Sequence, residues 1–561
     1  MFPGAGSNYG NPLLVFVGQI EQTQCLPKKG TSIEQNNYYM SDKDKPSMAL
    51  FWGCFIALIT TAFGFITRMF LLDDPEITQG LLGLDEAEVG IFKGIQVWPF
   101  AISIILFSLI IDKVGYKFAM IFAAASQIIW GIMGIYGLSV ADTNPELAKS
   151  LLLWGGLILA LGNGTVEAFI NPVVATLFDK EKTKWLNILH AGWPGGLVVA
   201  GIAVILMGGM SWEAKLALIF IPSIIYLLML IRCQFPVQER VAAGVSYRDM
   251  LGEFGFGGAA VVAILMFLQL DQAIPGNSAL WMILCAAMAI CLGVYTKSLG
   301  RPLMFVLILL MTPLATTEIG TDGWIAGIME NAVSFHGGWI LVYTSLIMMV
   351  LRFYAGPIVH HLAPIPLLIL SSILAIAGLL ALSGASGVGL IFAAATLYAL
   401  GKTFFWPTML GIVSEQTPRG GALTLNSVSG IGMLAVGVLG FPYIGALQEK
   451  KAVSELAALE DVKDVPGLVV DGKISEDALQ DKSIYYGAIN YQSLEGEKVD
   501  ALLVDESEEV KKAVAESKEG SGQKALASMA VFPLIMLIAY VILYFYFKSK
   551  GGYKPLDVSA D

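Results

Sequence analysis

The chain has 561 residues, of which 56% are hydrophobic and only 14% charged, with a formal net charge of −11 and a mean hydropathy of +0.70. This composition excludes a soluble globular protein and predicts a polytopic membrane protein whose first partner is the lipid bilayer, with no nucleic-acid partner expected. Apolar runs of about 17 to 25 residues, enough to cross roughly 30 Å of hydrocarbon, recur along nearly the whole sequence.

A first set of helices is expected near Ala49 to Leu72, Val89 to Ile111, Phe118 to Leu138, Leu151 to Phe178, Leu186 to Met207 and Trp212 to Ile231. Two further runs, Phe256 to Leu270 and Ser278 to Lys297, are joined by the turn-forming stretch Asp271 to Asn277 and read as an inserted hairpin. A second set lies near Leu303 to Met329, Trp339 to Val359, Pro366 to Leu382, Val388 to Val413, Ala422 to Leu447 and Leu526 to Phe547. The expected fold class is therefore all-α, with two six-helix bundles and a central hairpin, about fourteen transmembrane helices in all. The corresponding segments are an amino-terminal stretch over 1–47, a first bundle over 48–232, a linker with the hairpin over 233–301, a second bundle over 302–547 interrupted by a polar insert over 448–523, and a tail over 548–561. In the insert, Val465 to Val470 and Tyr485 to Leu494 carry apolar residues able to build a small fold, and no chemistry is visible there.

Lys and Arg in short loops stay on the cytoplasmic side. Lys113 and Lys117, Lys180 to Lys184, Arg232 to Arg248, Lys297 and Arg301, Arg419, and Lys548 to Lys554 all fall on one side of the helix count. The opposite loops, Asp73 to Glu88, Asp142 to Glu146 and Ser383 to Gly387, are acidic or neutral. A cell-membrane protein with both termini in the cytoplasm and the insert outside is expected. Val15 to Val17 is too short an apolar patch for a signal-peptide core, so no cleavable secretion signal is expected, and Met40 is an alternative start. Cys25, Cys54, Cys233, Cys285 and Cys291 have no paired spacing, and neither a disulfide framework nor a metal site is expected.

Four stretches recur in the same order in the second half. Thr60 to Gly64 reads again as Thr316 to Gly320, Ser108 to Lys117 is echoed by Gly356 to Ile365, Gly164 to Pro172 aligns with Ala399 to Pro407, and Leu186 to Gly201 aligns with Leu425 to Gly440. The order, more than any one match, points to two copies of one bundle with a central site between them. The third match sets Glu167 where Lys402 stands, a carboxylate opposite an ammonium.

An ionised side chain at mid-bilayer costs on the order of 2.5 to 3.5 kcal/mol on insertion scales, so such residues persist when paired or facing water. Glu167, Lys402, Glu318 and Asp322 qualify, while Arg68, Lys93 and Arg352 lie nearer helix ends, where Arg352 reads as packing beside a basic loop. Glu167 and Lys402 are either a switching pair or a fixed salt bridge that docks the halves. Glu318 and Asp322 stand one turn apart and can face one cavity. Trp324, Trp406 and Trp193 near these charges, with Asn171 and His190, provide flat faces beside hydrogen-bonding groups, a mixture that suits a polyhydroxylated or ring-shaped solute. The recurrence of Asn187 as Asn426 favours helix packing for that pair.

The stretch Ser108-Leu-Ile-Ile-Asp112-Lys113-Val-Gly115-Tyr116-Lys117 resembles the signature loop of the major facilitator superfamily, with Ser108 in place of a Gly and Tyr116 in place of an Arg. It needs a tight turn, for which Gly115 suits a left-handed backbone, and an acid, Asp112, able to accept charge-assisted bonds from a neighbouring cation. The resemblance implies a conformational latch at Asp112, Gly115 and Lys117. The second copy puts His360 and His361 in place of the charged pair. Gly162 to Pro172 and Leu186 to Trp193 are further similar to the sugar-proton symporter branch typified by fucose permeases. Members of that branch carry a fourth-helix Glu linked to proton coupling, where Glu167 falls, and a first-helix Asp, absent here because Thr60 to Arg68 holds no acid.

The expected function is that of an alternating-access secondary transporter for a small polar solute, a sugar or related compound, coupled to protons through Glu167 and Lys402. Glu318, Asp322, Trp324, Trp406, Asn171, His190 and Arg68 are the expected substrate ligands. A second reading takes Lys402 and Arg68 as ligands of an organic anion such as a sugar acid, and a third is a non-transporting solute sensor. No enzyme chemistry, cofactor or metal is expected, because no metal-ligand cluster, phosphate loop or nucleophile-base spacing is present. A monomer is expected.

Overall fold

The computed structural model describes residues 47–558, apart from 73, 75, 84–91, 93–96, 274–275, 331, 334–335, 463–464, 466, 471 and 505. The expectations for Met40, Cys25 and Lys93 fall outside the described residues.

In chain order the first half is α1 (Met48–Leu72), α2 (Trp98–Val114), α3 (Tyr116–Ser139), α4 (Pro145–Leu177), α5 (Lys182–Leu206) and α6 (Trp212–Leu230). The inserted hairpin is α7 (Tyr247–Ala273) and α8 (Ser278–Thr296). The second half is α9 (Pro302–Met329), α10 (Gly338–Phe353 with Ala355–His361), α11 (Pro364–Gly384), α12 (Val388–Gln416), α13 (Pro418–Ala458) and α14 (Glu508–Ser549). Twelve described helices are long and apolar enough to cross a membrane, thirteen when the two segments of α10, bent by 65°, count as one span. The expected count of about fourteen is not reached by that measure, since α2 has 17 residues and follows undescribed ones.

Local chemistry sets the helix ends. Asn144 accepts a hydrogen bond from the Leu147 amide at 3.1 Å, capping α4, and Pro145 fills its first position, where no amide donor is needed. Between α2 and α3 the chain turns at Gly115, whose φ of 83° is open to glycine at little cost. Small residues then let helices approach: a Cβ on Gly164 of α4 would lie 2.1 Å from the Phe100 carbonyl oxygen of α2, and one on Gly401 of α12 would lie 2.3 Å from the Ala375 nitrogen of α11. A continuous core including Phe51, Phe169, Phe405 and Leu434 joins both halves. On α8, by contrast, Leu280, Ile283, Ile290 and Val294 are exposed, as an apolar surface meeting acyl chains should be.

Two π turns interrupt the second half, at Thr316–Gly320 within α9 and at Val436–Gly440 within α13. They touch each other, for a Cβ on Gly440 would meet the Thr316 hydroxyl at 2.8 Å and one on Gly320 would meet Val436 at 3.4 Å.

Helices α13 and α14 run past the apolar runs that predicted them and continue as a polar pair joined by an ion pair between Lys524 and Glu455. Between them sits a small module with its own core, which includes Leu456, Val462, Leu468, Val499 and Val514. It contains two antiparallel ladders, β1 (Val469–Val470) with β2 (Lys473–Ile474), and β3 (Leu479–Ile484) with β4 (Ile489–Leu494) in the register Leu479 opposite Leu494 and Ile484 opposite Ile489. The expected folding of the Tyr485 to Leu494 stretch thus takes the form of a β-hairpin.

Candidate functional site

Helix α4 sets Glu167 and Asn171 one turn apart on one face. The Asn171 amide donates to Glu167 Oε2 at 2.6 Å, and His190 Nε2 donates to Asn171 Oδ1 at 3.0 Å. His190 occupies the break in α5 between Lys182–Leu189 and Gly192–Leu206, where its carbonyl has no helical partner to saturate it. All three side chains are buried.

In the second half the π turn of α9 aims Glu318 at Arg352 of α10. Arg352 is 1% exposed, and its guanidinium makes three bonds: Nη2 to Glu318 Oε1 at 2.7 Å, Nε to the Thr403 carbonyl at 2.7 Å, and Nη1 to the His190 carbonyl at 2.9 Å. The other oxygen of Glu318 accepts from the Trp406 amide at 3.1 Å. One turn after Glu318, Asp322 forms an ion pair with Lys402, whose ammonium also lies 5.3 Å from the centre of the Tyr398 ring.

Several contacts carry this network across the boundary between halves, among them an Asn171 amide bond to Asn426 Oδ1 at 3.5 Å. Arg352 reaches His190, the Asn426 amide of α13 donates to the Ala168 carbonyl of α4 at 2.9 Å, and the Asn187 amide of α5 donates to the Thr408 hydroxyl of α12 at 3.4 Å. The asparagines aligned by the sequence repeat therefore make reciprocal contacts, α5 to α12 and α13 to α4.

The structure groups Glu318, Asp322, Lys402 and Trp406 on one side and Glu167, Asn171 and His190 on the other. The expected facing pair is not joined: Lys402 binds Asp322, whereas Glu167 binds Asn171. Among the described residues Glu167 is thus the carboxylate of the network that forms no ion pair. Arg352, read from the sequence as helix-end packing, is instead the central cation, because α10 bends just beyond it at Tyr354 and tucks that end inward. An Arg followed two residues later by the breaker stretch Tyr354-Ala355-Gly356-Pro357 was the available signal. Trp324 is half-buried beside Gly445 of α13, its indole N–H without a partner among the described residues. Arg68 lies elsewhere, wedged against Gly156 of α4, 5.9 Å from the Trp130 ring centre and bonded to the Phe92 carbonyl. At the expected latch, Asp112 forms an ion pair with Arg240 of the linker, while Lys117 is exposed and makes no ion pair among the described residues. No group of three or more His, Cys, Asp and Glu side chains among the described residues could hold a metal ion.

The fold resembles solved transporters. A structure of the human organic anion transporter MFSD10 is 12% identical and covers 88% of this chain and 99% of its own, at a TM-score of 0.51. A partially occluded inward-open structure of the xylose transporter XylE from E. coli is 13% identical, covering 70% of this chain and 90% of its own, at 0.50. At such identity the likeness concerns the fold alone. No curated protein matches the sequence. The family model of the Major Facilitator Superfamily matches residues 48–442, most of the membrane-embedded chain, and the protein belongs to that superfamily of transporters.

Proposed function

We propose that the protein is a proton-coupled secondary transporter that moves a small polar solute, a sugar or related polyhydroxylated compound, by alternating access. The observation that carries this reading is the position of Glu167. It is buried in the central network and forms no ion pair among the described residues, so it can take up and release a proton without breaking one, whereas Glu318 and Asp322 cannot. Its state is transmitted through Asn171 and His190 to Arg352, which holds the second half.

The same pairing favours a neutral solute. Arg352 and Lys402 are each already held by a carboxylate, and a carboxylate substrate would have to displace one of them. Hydroxyl groups need only hydrogen-bonding edges and flat faces, which the Trp324 indole N–H, unpartnered among the described residues, and the Trp406 ring supply. One observation favours the organic-anion reading instead: Arg68 is 1% exposed and its Nη1 has no partner among the described residues.

The test is uptake into proteoliposomes under an imposed pH gradient, after a thermal-shift screen of sugars, polyols and sugar acids has found a ligand. Glu167→Gln keeps the shape and removes the proton site. It should abolish pH-driven accumulation while exchange of the same solute at equal pH continues. Full accumulation by that variant would remove Glu167 from coupling, and stabilisation by sugar acids alone would favour the anion.

A further inference from the structure

The loop between β3 and β4 spends its backbone in an unusual way. Tyr485 and Tyr486 both adopt φ of 56° and Gly487 follows at 82°, so three consecutive residues are left-handed although two of them carry bulky side chains. Such strain persists when the surrounding contacts over-determine it, and it clusters at functional sites. Here both rings are committed. The Tyr485 hydroxyl donates to the Leu439 carbonyl, inside the π turn of α13, and the Tyr486 hydroxyl donates to the Asp271 carboxylate at the end of α7. The Tyr486 ring also stacks on Phe267 of α7, with centres 5.9 Å apart and planes 8° from parallel. Its bond to Asp271 pushes the phenol up to about 12, so it remains a donor at neutral pH.

What the two tyrosines grip is the place where the halves meet at the end opposite the basic loops. A Cβ on Gly437, in the same π turn as Leu439, would lie 2.8 Å from Val97, beside α2 of the first half, and 3.7 Å from Gln269 of α7. On its other side this π turn abuts the π turn that carries Glu318. A π turn leaves a backbone carbonyl short of its usual partner and is often found at functional positions. Tyr485 of the insert donates to a carbonyl of this π turn, that of Leu439.

We propose that the β3–β4 tip of the insert is a positioning element of the transport gate: Tyr485 and Tyr486 bind α13 to α7 and so hold the Gly437–Val97 contact that closes the halves at this end. The insert therefore sets how often that end opens, and the paired π turns connect its grip to Glu318. This rests on the alternating-access reading but not on which solute or ion is carried.

The experiment reads the gate directly. In a background with the native cysteines replaced by serine, Val97→Cys and Gly437→Cys place two thiols across the contact, and the rate of oxidative cross-linking is measured in liposomes without solute or gradient. Tyr485→Phe, which removes one hydroxyl and keeps the ring, should slow cross-linking by about 2- to 10-fold, the worth of one net hydrogen bond. Asp271→Asn, which leaves the insert and α13 untouched, should slow it in the same direction, with melting temperature unchanged in both. Unchanged cross-linking in both variants overturns the proposal, as does a fall in melting temperature with no change in cross-linking. Failure of Glu167→Gln to uncouple transport would leave this measurement unaffected, so the two readings fail separately.

Discussion

Arg352 shows how much one side chain can decide when it is buried. A lysine at that point would offer a single compact charge, whereas the planar fork satisfies Glu318, Thr403 and His190 at once. Taking away one member of a buried ion pair strands the other in low dielectric, which costs about 3–5 kcal/mol, while removing both is far milder. Arg352→Met should therefore lower the melting temperature sharply in detergent, and adding Glu318→Gln should restore most of it. Arg352→Lys should fall between, keeping the charge but losing the bond across to His190. If the double variant proves as unstable as the sum of its parts, the pair is not coupled and Arg352 acts through packing alone. Sequence made the charges visible here but not their partners. Glu167 and Lys402 align in the repeat, yet which carboxylate an ammonium meets depends on helix rotation, and Asp322 lies nearer on the adjacent α9.

At the scale of elements, the apolar runs located nearly every membrane helix because burying twenty or so side chains in hydrocarbon leaves little freedom in choosing a backbone. Hydropathy measures lipid, however, not helicity. It ended the last two helices at the membrane, so the polar stretches Gln448 to Ala458 and Glu508 to Gln523, which continue α13 and α14, were invisible to it. The tyrosine turn was equally hidden, since left-handed backbone is ordinarily announced by Gly or Asn. Helix contacts were legible only as small residues, whose roles differ widely. Gly164 has the Phe100 backbone within 2.1 Å of where a Cβ would stand, while Gly327 on α9 has nothing within 4 Å. Gly164→Ala should therefore force α2 and α4 apart and destabilise by about 1–3 kcal/mol. Gly327→Ala should be neutral or stabilise by up to about 1 kcal/mol, because alanine loses less backbone entropy in a helix. Thermal unfolding of the two variants side by side checks the contrast, and equal melting temperatures would mean that α2 and α4 are not in close contact in the membrane.

For the whole molecule, the end carrying the basic loops is held by a second set of contacts. Asp112 pairs with Arg240, Lys182 pairs with Glu239 beside it at 2.6 Å, and the Thr183 hydroxyl of the first half donates to Glu415 of the second at 2.6 Å. The tail adds to this, because Tyr553 donates to the other oxygen of Glu415 at 2.7 Å and the Leu556 amide donates to its carbonyl at 2.8 Å. Burial and then the Glu415 carboxylate hold the Tyr553 phenol well above the usual tyrosine range, so it is a fixed donor. The family resemblance led to the expectation of a latch at Asp112 but could not show that its cation comes from the linker, which lies far along the chain. Hydrogen bonds to charged groups contribute about 1.5–3 kcal/mol net, and a conformational equilibrium can shift by no more than the interaction lost. Asp112→Asn should thus open this end by at most roughly 150-fold. The readout is maleimide labelling of Ser414→Cys, a position lining the small cavity beside Lys182 and Arg240, in the cysteine-replaced background. Because the proposed alternating access would set the two ends against each other, the same substitution should also speed cross-linking between Val97→Cys and Gly437→Cys. Faster labelling with unchanged cross-linking would mean that the ends open independently, and unchanged labelling would reduce Asp112 to a turn residue.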